Sequence, residues 1–299
     1  MGATLGGYLV VSACGWAIAP LLSRLLDDLP DRGHGVSRIV GLVLATGVAF
    51  GAVGLLGRPL NRAMAIGSIG LVAVVSWLVR RILPPGTAVG TDPPGAVAPR
   101  VAIAWEEGLF LLGVVLFAWI QSRNPSIDPD SERFMDYAFL RSYLRAPGLP
   151  APDPWLSGTP MNYYSFTYAV AAFVVRGAGG GPAGMFTTVV ALLSALIWVG
   201  AFGVGLAMTG RPRGGVIASF LVLGAGNLQW LAQWFHRGSL LPFDWFAPAR
   251  AITGGITEFP WFSLLWGDLH PYILGLALVI AALAIPLSGP YVAAPAARP

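Results

Sequence analysis

Long stretches without charged side chains alternate with short polar segments along the chain. Asp, Glu, Lys and Arg are absent from seven ranges: 3–23, 39–57, 63–79, 108–122, 177–210, 214–236 and 271–297. A helix needs roughly 20 apolar residues to cross the hydrocarbon layer of a membrane, and most of these ranges approach or exceed that length. The pattern predicts an all-α, polytopic membrane bundle with about seven spans, near 3–22, 36–57, 63–82, 104–121, 184–208, 214–233 and 270–288.

An eighth apolar segment, 162–176, is shorter, and its placement decides the topology. If it crosses the membrane, the long polar loops 122–161 and 234–269 lie on opposite sides. If it is a juxtamembrane helix along the outer membrane face, both loops lie outside. We favour the second arrangement, because it makes eight arginines of the short loops cytoplasmic, Arg211 and Arg213 among them, as loop arginines tend to be. These are Arg24, Arg32, Arg38, Arg80, Arg81, Arg100, Arg211 and Arg213.

Composition supports the membrane class and excludes several others. Hydrophobic residues make up 56% of the chain and charged residues 11%, whereas roughly a quarter of the residues in a soluble domain are charged. The net charge of +4 comes from arginines in short loops, which indicates contact with lipid and not with nucleic acid. We expect a multi-pass protein of the plasma membrane. Cys14, the single cysteine, excludes an intrachain disulfide.

A segment rich in Pro, Gly and Ala over 83–100 divides the chain. It predicts an N-terminal three-helix membrane region with a linker over 1–100 and a membrane core over 101–299. The N-terminus lacks a secretory cleavage signal, so the first apolar range is predicted to remain as a helix.

The first candidate site lies in a predicted helix over 131–145, with Ser131 as its N-cap. Glu132 and Asp136 are four residues apart and therefore share one face of that helix. Two carboxylates on one face can bind a divalent metal, or one can act as a general base. The alternative is a solvated face whose carboxylates pair with Arg133 and Arg141.

Aromatic side chains follow in the same loop and form a second candidate site. A Pro-fixed turn and adjacent aromatic rings can build a wall for a sugar or a lipid headgroup; the alternative is an aromatic belt at the membrane interface. The residues are Asp153, Trp155, Asn162, Tyr163 and Tyr164. Arg141 and Arg250 are candidate contacts for a phosphate group.

A third candidate site precedes the last apolar range. Asp268 and His270 lie directly before Pro271, and Glu258 lies ten residues upstream of Asp268. The three could bind a metal or transfer a proton. The alternative is that Asp268 caps a helix while His270 lies at the interface. His34 and His236 show no usable pattern, and no ionisable residue is expected in the middle of a span.

Three motifs make the chain resemble a family of uncharacterised archaeal and bacterial membrane proteins named for a run of tyrosines, the YYY membrane protein family. They are ERFMDYAFL from Glu132, DPWLSG from Asp153 with MNYYSF from Met161, and ITEFPWFS from Ile256 with GDLHP from Gly267. Gly226-Asn227-Leu228 also fits the pattern. Ser165 replaces the third tyrosine of the family and Tyr272 replaces a second histidine. Members of the family are usually longer, so we expect an N-terminal fragment.

The layout of this family is similar to that of membrane glycosyltransferases of the GT-C type. The resemblance implies a GT-C-like bundle whose site faces outward and a polyprenyl-phosphate-linked sugar as donor. Asp136 would be the catalytic base or a metal ligand, with Glu132 assisting, and Asp268, His270 and Glu258 would hold a divalent metal ion. Two alternatives remain open: a transporter or flippase of a lipid-linked or ionic substrate, and a non-catalytic membrane subunit of the cell envelope.

Overall fold

The computed structural model describes residues 2–84, 97–129, 131–163, 165–226, 228–239, 243–244, 246–250, 252–255, 257 and 260–288. These residues form helices and no strand; an isolated bridge joins Pro152 and Pro160. The predicted all-α class is therefore confirmed. The helices are α1 (Gly2–Leu25), α2 (His34–Leu56), α3 (Arg62–Ile82), α4 (Pro99–Gln121), α5 (Glu132–Arg145), α6 (Phe166–Ala178), α7 (Pro182–Thr209), α8 (Pro212–Phe220), α9 (Gln229–Arg237), α10 (Pro260–Trp266) and α11 (Tyr272–Leu287).

Within the described residues, fewer helices than predicted are long and apolar enough to cross a membrane. Five qualify, namely α1, α2, α3, α4 and α7. The segment from α8 to α9 makes a sixth if it is counted as one bent span, and α11 is a shorter apolar helix. The predicted total of about seven spans is therefore not confirmed by helix length and composition.

The predicted span 214–233 is not one uninterrupted helix in the structure. A π-helical turn, Leu221–Ala225, follows α8, and the two halves meet at an angle of 58°. Gly226 has a φ of +56° and Leu228 a φ of +61°. A right-handed helix requires negative φ angles, so it cannot continue through these residues.

The helices run back and forth between two ends of the bundle, which we name by their residues. The loop end holds the start of α7, the end of α4 and all of α5; there, Gly7 of α1 faces Met185 of α7, and Gln121 donates a hydrogen bond to Leu264 O. The arginine end holds the start of α2 and the end of α7, where Gly35 faces Gly203. Segments of both long loops, Glu132–Arg145 and Pro260–Trp266, lie at the loop end, and its outward orientation stays a prediction.

Helix α6 covers the disputed segment 162–176, and it does not run from one end of the bundle to the other. Thr167 at its start donates to Pro271 O at 3.3 Å, and Ala178 at its end lies against Gly6 of α1. Both contacts are at the loop end. However, α6 is packed among α1, α2, α3, α5 and α7, and most of its side chains are buried. Its placement along the outer membrane face stays a prediction.

One hydrophobic core joins the chain from α1 to α11. Helix α7 is its centre, because nearly all of its side chains are buried, while α3 keeps large apolar side chains exposed on one face. Such faces suit contact with lipid tails. The described part of the chain thus packs α1 and α2 directly on α7. The division at residue 100 stays a prediction, since residues 85–96 lie outside the described residues.

Candidate functional site

Helix α5 supplies the first part of the site, and it begins where the sequence predicted. Ser131 is at the N-cap position, but its Oγ donates to Asp128 O and caps no helix N–H group. Glu132 and Asp136 lie one turn apart, with very different surroundings. The Glu132 side chain is 64% exposed, whereas Asp136 is fully buried. Asp136 therefore does not belong to a solvent-exposed helix face of ion pairs, which was the alternative interpretation of the sequence.

The loop between α10 and α11 supplies the second part. Gly267 ends α10 with a φ of +71°, in the left-handed region that glycine adopts readily. A Cβ atom at Gly267 would come within 3.2 Å of Arg133 Nη2, so no larger side chain fits without a shift. This turn places Asp268 beside α5, and Leu269 N donates to Asp136 Oδ2 at 3.1 Å. Helix α11 begins at Tyr272 with Pro271 at its N-cap, so Asp268 does not cap it.

The buried carboxyl groups of Asp136 and Asp268 contact each other through a hydrogen bond. Asp136 Oδ1 also accepts a hydrogen bond from Tyr168 Oη at 2.5 Å. Burial raises the pKa of Asp136, and the neighbouring Asp268 carboxylate raises it further. Burial alone would also raise the pKa of Asp268, but hydrogen bonds from His270 and Asp136 and the charges of His270 and Arg133 hold it below its usual value. Asp136 therefore carries the proton and Asp268 the negative charge.

Three groups able to bind a metal ion converge above this pair. One ligand atom from each of Glu132, Asp268 and His270 lies within 4.8 Å of the others. His270 Nδ1 is 3.2 Å from Asp268 Oδ2 and 3.8 Å from Glu132 Oε2. A ring nitrogen and two carboxylate oxygens suit a divalent cation such as Mn²⁺ or Zn²⁺. The predicted third carboxylate, Glu258, lies outside the described residues.

Aromatic rings connect the buried pair to the surface. Phe139 contacts Tyr168 with ring centres 5.1 Å apart, Tyr163 at 5.4 Å and Trp155 at 5.8 Å. Trp155 is 57% exposed and also meets Phe134 at 6.3 Å. Two residues of the predicted wall, Trp155 and Tyr163, thus meet at Phe139, and their role in binding stays a prediction. Tyr164, which the sequence also proposed for it, lies outside the described residues.

Other predicted site residues have contacts elsewhere. Asp153 Oδ1 accepts hydrogen bonds from Trp155 N at 2.7 Å and Leu156 N at 3.0 Å, which fixes the turn that presents Trp155. Asn162 is exposed. The Arg141 guanidinium lies 5.8 Å from the Tyr137 ring centre, and Arg250 Nη1 donates to the neighbouring Ala249 O. In the described part of the chain these contacts do not join Arg141 or Arg250 to the carboxyl groups, so their phosphate-binding role stays a prediction.

Three residues of the site escaped the sequence analysis as functional candidates: Tyr168, Arg133 and Gln121. Arg133 is buried beside both aspartates, and its Nη1 donates to Asn124 O at 2.9 Å. Tyr168 is the one polar aromatic residue within the apolar helix α6, and Gln121 is the last residue of a predicted span. A polar side chain within or at the end of an apolar helix is the signal that could have revealed Tyr168 and Gln121, since membrane helices bury few polar groups without a partner.

Comparisons with known proteins give a family and no function. No curated protein and no solved structure matches the chain. A family profile described as "Uncharacterized membrane protein (DUF2298)" matches residues 49–293, which include α5, the turn at Gly267 and all the carboxyl groups described above. The chain therefore belongs to this family of membrane proteins.

Proposed function

We propose that this protein is a membrane glycosyltransferase that moves a sugar from a polyprenyl-phosphate donor to an acceptor hydroxyl. One observation carries the proposal: Glu132, Asp268 and His270 converge at the loop end, directly above the buried Asp136–Asp268 pair. The exposed aromatic side chain of Trp155 is joined to the pair through Phe139 and Tyr168 and offers a surface on which a sugar ring could stack. The apolar flanks of the bundle offer a surface for the polyprenyl chain.

The transfer requires a base and a positive charge at the leaving phosphate. The acceptor oxygen bonds to the anomeric carbon, the bond from that carbon to the phosphate oxygen breaks, and the phosphate leaves with the electron pair. Glu132 is exposed enough to take the acceptor proton. A divalent cation, when bound, supplies positive charge to the departing phosphate.

Asp136 has a different role from the catalytic base that the resemblance implied. It is fully buried and holds a proton, whereas a base must be ionised and reach the acceptor. We assign to Asp136 the positioning of Asp268, through their shared hydrogen bond. Tyr168 and Leu269 N hold Asp136 in turn.

The test uses the purified chain in lipid nanodiscs, with radiolabelled polyprenyl-phosphate sugars and Mn²⁺. Transfer and Mn²⁺ binding are expected in the wild type, and both are expected to fall at least tenfold in Asp268→Asn and His270→Gln. Glu132→Gln should lose transfer while keeping part of the Mn²⁺ affinity. His236→Gln is the matched control, because His236 is exposed on α9 and bonds to Ala232 O.

The three functions proposed from sequence give different results in that assay. A transporter or flippase would move labelled lipid across the membrane without forming a glycosylated product. A non-catalytic subunit would show neither flux nor product. Unchanged Mn²⁺ binding in both Asp268→Asn and His270→Gln would refute the metal site itself.

A further inference from the structure

A second group of ionisable side chains is buried at the arginine end of the bundle, on the far side from the candidate site. Asp31 lies just before α2, His34 and Arg38 lie in the first turns of α2, and Glu106 and Glu107 lie in α4. No motif in the sequence assigns a role to any of them. All five are acidic or basic residues, and all except Glu107 are buried, which membrane proteins seldom allow.

Glu107 has its charge balanced by protein groups. His34 Nε2 lies 2.7 Å from Glu107 Oε1, and Arg38 Nη2 lies 2.5 Å from Glu107 Oε2. The Arg38 guanidinium also lies 4.4 Å from the ring centre of Phe110. Arg38 and His34 therefore pair with Glu107, and neither donates a hydrogen bond to Glu106.

Glu106 is fully buried, and its carboxyl group lies against that of Asp31. Neither oxygen of Glu106 accepts a hydrogen bond from an N–H or O–H group in the described part of the chain. Asp31 is different, because its Oδ1 accepts from Gly33 N at 3.1 Å and its Oδ2 from Gly35 N at 2.7 Å. Two carboxylates in contact and away from water cannot both stay ionised.

Close packing of α2 on α7 closes one side of Glu106 to any further side chain. A Cβ atom on Gly35 would come within 2.9 Å of Glu106 Oε1 and 3.1 Å of Gly203 Cα. The two glycines let α2 and α7 approach closely and close the site from that side. A cavity of about 10 Å³ reaches Asp31 between α2, α7 and α11, which is about the space of one water molecule. Its lining from α7 and α11 is uncharged.

The charges balance if the carboxyl pair holds one proton. Arg38 and His34 both contact Glu107, so no further basic residue is left to pair with two ionised carboxylates at Asp31 and Glu106. Asp31 already accepts from two backbone N–H groups, whereas no N–H or O–H group donates to Glu106 in the described part of the chain. The proton therefore belongs on Glu106, which donates it to Asp31.

We propose that Glu106 and Asp31 form a buried proton-binding site, which takes up one proton per chain from the arginine end of the bundle by way of the cavity at Asp31. It is independent of the glycosyl transfer proposed above. An alkali-metal cation is a poorer occupant, since both Asp31 oxygens already accept hydrogen bonds and few further oxygen ligands face Glu106.

Infrared spectroscopy of the protein in nanodiscs tests the site directly, because a protonated carboxyl group absorbs apart from a carboxylate. At neutral pH we expect one protonated-carboxyl band that shifts when the glutamates alone are labelled with ¹³C. That band should be lost in Glu106→Gln, where the amide replaces the shared proton, and in Asp31→Asn, which offers Glu106 an N–H donor. Asp128→Asn, in the exposed loop before α5 at the other end of the bundle, is the matched control and should keep it.

Two results would overturn the proposal. The first is a wild-type spectrum in which no protonated band responds to glutamate labelling, a measurement that needs no variant to fold. The second is a sodium-specific stabilisation: a melting temperature that is higher in NaCl than in choline chloride for the wild type, and equal in both salts for Glu106→Gln, would identify a metal cation as the occupant.

Discussion

Comparing Asp136→Asn with Asp136→Ala tests whether the Asp136 carboxyl group is protonated or ionised in the folded protein. In the wild type, Asp136 accepts hydrogen bonds from Tyr168 and Leu269 N and shares a proton with Asp268. Asn reproduces this pattern, since its carbonyl oxygen accepts and its NH₂ group donates to Asp268. Asn should therefore cost under about 1 kcal/mol of stability, within the range of a single rearranged hydrogen bond.

Ala removes all three interactions at once. It leaves a buried hydroxyl, a buried N–H group and a buried carboxylate without their partner, and each loss costs about 1–3 kcal/mol. We expect Asp136→Ala to lower the free energy of unfolding by about 3–5 kcal/mol, a value below the simple sum because part of the site will relax. Asp128→Ala is the matched control, because Asp128 lies in the exposed loop before α5.

The assay is thermal or denaturant unfolding in mild detergent, followed by tryptophan fluorescence across a range of pH. Because the pKa of Asp136 is raised in the folded protein, the wild type should lose part of its stability as the pH rises above the usual pKa of an aspartate. Asp136→Asn should show a flatter profile over that range. If Asn destabilised the protein as much as Ala did, Asp136 would be ionised, and the assignment of the proton would be wrong.

Two further substitutions probe packing and the support of the pair. Tyr168→Phe removes the hydrogen bond to Asp136 Oδ1 and should cost about 1–2 kcal/mol in unfolding assays; Tyr137→Phe, on the adjacent face of α5, should cost less, and equal effects would contradict a special role for the Tyr168 hydroxyl. Gly35→Ala places a methyl group 3.1 Å from Gly203 Cα and should destabilise the bundle by about 1–3 kcal/mol. Gly47→Ala in the same helix, where a Cβ atom meets nothing within 4 Å, should be neutral or stabilising; a matching loss there would argue against close packing of α2 on α7.

Much of the site could be predicted because its motifs are local. Glu132 and Asp136 are one helical turn apart, and Asp268 and His270 flank a single residue. The parity of the arginine-bearing loops also placed both motifs at one end of the bundle. The contact between Asp136 and Asp268 could not be predicted from spacing, since 131 residues separate them in the chain. It depends on how α5, α6 and α10 pack.

The sequence by itself determined the membrane class, the helical content and the position of α5, because apolar run length and helical periodicity are properties of neighbouring residues. Only the tertiary structure decided which ionisable groups are buried and paired. The structure shows that Asp136, a candidate base from sequence, is a buried partner of Asp268. It also shows that α6 is packed inside the bundle and that the helix is interrupted near Gly226. It also brought Glu106 against Asp31, beside the close packing of Gly35 on Gly203. Burial and pairing depend on contacts between distant segments, and a sequence pattern carries no record of them.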